Sequence, residues 1–302
     1  METKMNLKNV FVILSINFFI LTISILLPAI IFDVMKSNFG QKANYFENPK
    51  ASLPIYDDKN KAQTVWKEYD TLVSKPPMYV SFIGWRYPHF NSTYTNIEGR
   101  YNIRRSSGEA FNSSTWFFGG STMWGNGVAD ADTIPSIYSK LSGNTVMNFG
   151  GLGYESRQSL NQFINLIADG HRPEKVIFYE GFNDLGIYCN TNTDNLPQHG
   201  ENQKIQTALL HKDNPILSLS AYIIRPYLSI LSRLGVTLNK KQTPYICDVD
   251  AQRALLAARH TLTNWEIAYR LAERHRIKFM AVYQPSLAVQ GEIPDYLLPS
   301  AK

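Results

Sequence analysis

The run Trp116-Phe117-Phe118-Gly119-Gly120-Ser121-Thr122-Met123-Trp124-Gly125 decides the fold. An apolar stretch stops at two glycines, and a small hydroxyl residue stands where a helix can begin. Two later stretches repeat the pattern: Val146-Met147-Asn148-Phe149-Gly150-Gly151-Leu152-Gly153-Tyr154, and Val176-Ile177-Phe178-Tyr179-Glu180-Gly181-Phe182-Asn183-Asp184. Short apolar runs bounded by glycine read as buried strands. Between and after them, Thr133 to Ser142, Ser156 to Asp169 and Val249 to Arg276 read as helices. In the last, Leu255, Leu262, Trp265, Tyr269, Leu271 and Ala272 recur at helical spacing. A further strand is expected over Phe279 to Gln284. This alternation predicts an α/β fold, a parallel sheet with helices on both faces.

In a parallel sheet the C-terminal ends of the strands share one edge, and ligands bind there. Ser121, Gly153 and Asn183 are therefore expected to meet. Acyl transfer requires a nucleophilic hydroxyl and donors aimed at the oxyanion of a tetrahedral intermediate, supplied by backbone N–H groups or an Asn amide. Each residue also has a plain structural use. Gly153 suits a turn with positive φ, and Ser121 or Asn183-Asp184 suits a helix N-cap. Asp184 is read as bracing its turn, with no chemical step assigned.

In order and spacing these stretches resemble the first three sequence blocks of the SGNH, or GDSL-type, hydrolase family. The resemblance covers Trp116 to Gln284, and Gly119-Gly120-Ser121-Thr122 is a looser form of the usual first block. It implies a three-layer, flavodoxin-like parallel-sheet domain over 111–302. It also implies Ser121 as the nucleophile, Gly153 and Asn183 as the rest of the oxyanion hole, and no cofactor or metal. The implied activity is that of a serine esterase or acyltransferase, and analogy with the family's work on envelope components extends this to O-acetyl groups of an envelope polysaccharide.

The family's fourth part, an Asp-x-x-His motif carrying the general base, is not found. Asp295 is followed by Tyr296, Leu297 and Leu298, and no histidine follows His275. A serine hydroxyl is a poor nucleophile without a base. Three explanations stand open: a protein that continues beyond Lys302, a histidine from upstream, or a catalytically silent binding or accessory protein. The first is favoured, because Glu292 to Pro299 reads as a loop in mid-course and a sheet normally ends with a covering helix. His260 and His275 read as helix-surface residues, and His171 as part of a turn at the opposite sheet edge. His89, His199 and His211 fall in loop-like stretches. None has metal-ligand spacing.

At the N-terminus, Val10 to Phe32 carries no charged side chain and is long enough to cross a bilayer. It lacks a small-x-small cleavage site and reads as an uncleaved signal-anchor, so residues 10–32 are expected to contact lipid. Lys4 and Lys8 precede it, and Lys36 and Lys42 follow, so the positive-inside rule is nearly balanced. The short N-terminal tail and large following domain point to the extracytoplasmic side. The expected organisation is an anchor over 1–35, a proline-broken stalk and aromatic extension over 36–110, and the hydrolase-like domain over 111–302. Within the extension, Met78 to Pro88 and Tyr94 to Arg105 read as short strands.

The 302 residues are 44% hydrophobic and 18% charged with a net charge of +5, a balance typical of a globular chain. No dense Lys/Arg block interleaves with aromatics, which argues against nucleic-acid binding. The two cysteines, Cys189 and Cys247, form no Cys-x-x-Cys motif, so redox catalysis and structural zinc are not expected. They can pair in an exported domain. Cys189 to Pro244 reads as an insertion with its own helix around Ile216 to Leu234.

Overall fold

The computed structural model describes residues 14–24, 27, 48–109, 111, 114–190 and 246–285. The chain divides into two compact units, Met1–Phe46 with Lys204–Gln242, and Glu47–Gln203 with Thr243–Lys302. In the first unit, residues 14–24 are helical, and apolar side chains such as Phe18 and Phe19 are exposed. The expected span over Val10 to Phe32 lies partly outside the described residues. Among those described, no helix is long and apolar enough to cross a membrane. The insertion from residue 191 to 245, with His199 and His211, and the stretch after Pro285 also lie outside them.

The second unit is an α/β structure around a six-stranded sheet. Its strands are β3 (Ile97–Glu98), β4 (Ile103–Arg104), β5 (Thr115–Gly119), β6 (Val146–Asn148), β7 (Lys175–Glu180) and β8 (Lys278–Tyr283), in spatial order β3-β4-β6-β5-β7-β8. The last four are parallel: Thr115 pairs with both Val146 and Lys175, and Lys175 pairs with Lys278. β5 is buried along its whole length, as a central strand covered on both faces must be. Alternation sorts its side chains. Trp116 and Phe118 join Leu160, Phe163, Ala268 and Ala272 on one face, while Phe117 joins Ile177 and Tyr138 on the other. The covering helices on the first face are α4 (Ser156–Ala168) and α7 (Ala251–Arg274), and on the second α3 (Ile134–Ser142).

The helix expected over Thr133 to Ser142 starts one residue later, because the Thr133 hydroxyl caps it, accepting from the Ser136 N–H. The helix expected over Val249 to Arg276 is two elements, α6 (Ile246–Val249) and α7. Asp250 separates them by accepting from the N–H groups of Gln252 and Arg253, the geometry of a new N-terminus.

The stretch between 48 and 105 holds more structure than its prolines suggest. Lys59–Val73 forms helix α1, capped by Asp58, with Ala62, Val65, Trp66 and Leu72 buried. β1 (Met78–Val80) and β2 (Gly84–Arg86) form an antiparallel hairpin, and β3 and β4 form another that joins the main sheet through Arg104 and Asn148. Two further short helices among the described residues are α2 (Ser121–Trp124) and α5 (Phe182–Asn190).

Cys189, at the end of α5, is bonded to Cys247 in α6, across a sequence separation of 58. A cross-link of that span restricts the unfolded chain by an amount worth up to about 4 kcal/mol. The Cys189→Ala, Cys247→Ala double variant is expected to lose about 2–4 kcal/mol in urea unfolding. An unchanged midpoint and slope would show that the bond constrains nothing.

Candidate functional site

Ser121 is the first residue of α2, directly after β5. Gly120 is the N-cap and has no side chain to cap with, and among the described residues the Ser121 side chain has no hydrogen-bond partner. Gly125 ends the helix with a φ of 93°, in the left-handed region that favours glycine. The last turn is held from the neighbouring strand: the buried Asn148 amide donates to the Met123 carbonyl at 3.1 Å and the Trp124 carbonyl at 3.4 Å. Its carbonyl oxygen accepts from the Gly150 N–H at 3.0 Å. Asn148 thus ties α2 to the loop that follows β6. The sequence shows a polar residue at this strand end but not the partners that give it this use.

Gly153 lies in that loop with a φ of 76°. The next residue, Tyr154, is buried, and its hydroxyl donates to the Trp85 carbonyl, while Gln158 and Asn161 of α4 donate to the carbonyls of Ile83 and Phe82. The β1–β2 hairpin therefore buttresses the loop carrying Gly153.

Asn183 sits in the first turn of α5 and does not cap it. Its Nδ2 donates to the Tyr154 carbonyl at 2.7 Å. A Cβ placed on Gly120 would stand 2.4 Å from the same Nδ2. The Asn183 amide is thus packed between the residue before Ser121 and the residue after Gly153. An Asn amide carries two N–H donors, and the second has no partner among the described residues. Gly119 is equally confined: a Cβ there would stand 2.4 Å from the Tyr179 carbonyl.

Asp184 reaches across as well. Its carboxylate accepts from the Ser156 N–H at 3.1 and 3.2 Å and from the Ser156 hydroxyl, at the N-terminus of α4, where a negative charge is favoured. Asn264 of α7 donates to the same Ser156 hydroxyl at 2.7 Å. Two further carboxyls are buried beside it. Glu180 is pushed up to about 8 by burial and by the Asp184 charge, and only one of its oxygens has a partner, the Trp265 indole N–H at 3.0 Å. Glu155 is pushed up to about 7 by burial and then by Asp184.

The histidines stand elsewhere. His171 lies before β7, bonded to the Tyr101 hydroxyl. His260 packs on the Tyr188 ring at 5.0 Å, and burial and then Arg157 hold its pKa low. His275 is the C-cap of α7. Among the described residues, no histidine bonds Ser121, and no group of His, Cys, Asp or Glu is arranged to hold a metal. At the other side of α2, Gln284, just past β8, donates to the Thr122 hydroxyl at 2.9 Å.

No family model matches the chain, and no curated protein matches it. Among solved structures, a mutant of the esterase AlinE4 is similar at 15% identity over 57% of this chain and 77% of that chain, with a TM-score of 0.23. A score this low carries no argument about fold or activity.

Replacing Asn148 with alanine leaves two buried carbonyls and one N–H without partners, and is expected to lower stability by about 2 kcal/mol or more. A loss within error of zero would mean α2 holds its place unaided. For Glu180, the folded pKa lies above the unfolded one, so its contribution is complete at acid pH and falls as pH rises from about 4.5 towards 8. Glu180→Gln is expected to flatten that fall by on the order of 1 kcal/mol or more between those limits. Parallel stability curves for the two proteins would contradict the buried, protonated carboxyl.

Proposed function

We propose that this chain is a serine-dependent esterase or acyltransferase of the SGNH kind. Ser121 attacks an ester carbonyl, the Gly153 N–H and the free N–H of Asn183 receive the oxyanion, and water or a sugar hydroxyl resolves the acyl-enzyme. The observation that carries the reading is the position of the Asn183 amide, against Gly120 and on the Tyr154 carbonyl. Turns far apart in sequence meet at that amide, one residue before Ser121 and one residue after Gly153. A capping Ser or Asn would have spent its side chain locally.

The finer reading is a protein anchored through residues 10–32, with its α/β unit outside the cytoplasm, acting on O-acetyl groups of an envelope polysaccharide. The uncharged run of Val10 to Phe32 supports the anchor. The Cys189–Cys247 bond supports an oxidising compartment. A second reading, a binding or accessory protein that keeps the pocket without turnover, is favoured by one observation: among the described residues, Ser121 has no base.

Fluorophosphonate labelling of the protein in native membranes separates the two. Labelling at Ser121 that disappears in Ser121→Ala supports the enzyme, and no labelling of folded protein supports the binding role. With an active preparation, Asn183→Ala is expected to reduce ester turnover by about 100- to 1,000-fold. A reduction below about threefold would remove Asn183 from the oxyanion hole.

A further inference from the structure

Arg104, the last residue of β4, buries its side chain to 1% exposure, and the chemistry proposed for Ser121 makes no use of it. An arginine cannot shed its charge, so a place this dry has to supply partners. Nε donates to Asp130 Oδ1 at 2.5 Å, and Nη2 donates to the carbonyls of Val128 at 2.8 Å and Tyr94 at 3.4 Å. Asp130 is itself fixed, accepting from the Asn96 N–H at 3.2 Å and from Asn96 Nδ2 at 2.7 Å. These bonds leave the guanidinium plane one orientation.

The guanidinium stands over Trp124, 4.3 Å from the ring centre, a contact that strengthens when water is excluded. Trp124 is the last residue of α2, and Ser121 is the first. A single turn joins them: the Trp124 N–H donates to the Gly120 carbonyl at 3.0 Å, and the Gly125 N–H to the Ser121 carbonyl at 3.0 Å. Trp124 also meets the second turn of the site. A Cβ on Gly150 would stand 2.6 Å from the Trp124 backbone nitrogen, and the Trp124 side chain shares an apolar cluster with Leu152, the neighbour of Gly153. Asn148 reaches only the backbone carbonyls at this end of α2, so it does not hold the ring.

We infer that Arg104 is a positioning residue for Ser121: its clamped guanidinium fixes the Trp124 ring, and through one helical turn it fixes the hydroxyl. The inference rests on the reading of Ser121 as the nucleophile. It gives the stretch before residue 105 a part in the site, because β4 brings the cation from outside the parallel strands. A lysine cannot replace it, since an ammonium has no plane to lay against an indole and no fork to reach the same acceptors.

The test uses the full chain carrying Arg104→Lys, which keeps the charge and removes the plane. In folded protein the rate of fluorophosphonate labelling at Ser121 is expected to fall by about 10- to 100-fold, and ester turnover to fall in kcat with KM unchanged. Arg105→Met, at the next residue, removes a partly exposed pair with Glu98 and is expected to stay within about twofold of the unaltered protein. Amide hydrogen exchange supplies an arm that needs no chemistry. Arg104→Lys is expected to speed exchange at positions 124 and 125 by about tenfold or more, with Phe117 and Phe118 of β5 unchanged. Trp124→Phe, which keeps a core ring but shrinks the face beside the guanidinium, is expected to give the same local change, and the double variant no further one. If the unaltered protein does not label, the nucleophile reading falls and exchange alone decides whether Arg104 clamps α2. Labelling of folded Arg104→Lys within about threefold of the unaltered protein, an equal loss in Arg105→Met, or exchange in α2 that is unchanged or rises in step with β5 would each overturn the inference.

Discussion

The constraint on which the rest depends is the close approach at Gly119 and Gly120. The end of β5 runs so near β7 that a Cβ on Gly119 would meet the Tyr179 carbonyl, and one on Gly120 would meet the Asn183 amide. Both contacts, at 2.4 Å, are too close for a Cβ, so a side chain at Gly119 would collide with backbone and one at Gly120 would displace the Asn183 amide. The missing side chains let three strand ends converge before the chain turns into helices. Beneath them, Phe118 stacks on Phe149 and Phe178 at 5.3 and 4.8 Å, so the stretches supplying the turns are locked by one column of rings. Rigid strands then determine where the turns lie, which is the preorganisation that an oxyanion site requires.

The second layer of support is polar and buried. Asn148 holds the end of α2, Asp184 holds the start of α4, and Asn264 reaches the same Ser156 hydroxyl from α7. Each bond joins elements distant in sequence, so each fixes a relative position that apolar packing alone would leave free to slide. The arrangement also concentrates carboxyls. Burial first, and then the proximity of Asp184, pushes the carboxyls of Glu155 and Glu180 above the usual carboxylate range.

Legibility in the sequence followed the range of the interactions. The long apolar strands and the helices after them could be read because their periodicity is local and repeated. The stretch Tyr94 to Arg105, expected as one short strand, is instead the β3–β4 hairpin, since two-residue strands exist through pairing with a neighbour that alternation in one segment does not reveal. α1 lies within the stretch expected as a stalk broken by Pro49, Pro54, Pro76 and Pro77, although Ala62, Val65, Trp66, Tyr69, Leu72 and Val73 follow helical spacing. Those prolines flank the helix and leave its interior intact, as proline's missing N–H demands. In the site, the meeting of the glycine turns was readable. The use of Asn183 and Asp184 across the site, in place of local capping, was not, since both choices fit the same residues until the partner is known.

Gln284 bears on the proton acceptor that a serine nucleophile needs. Its backbone N–H donates to the Glu180 carbonyl at 2.7 Å and its side chain to the Thr122 hydroxyl at 2.9 Å, so the residue just past β8 is bonded to the residue after Ser121. A base from α7 would require displacing a helix whose Ala268 and Ala272 are fully buried against the sheet. Repacking such positions works against close-packed core contacts. Sheet geometry thus holds His260 and His275 on a helix packed against the core, away from the turn that carries Ser121.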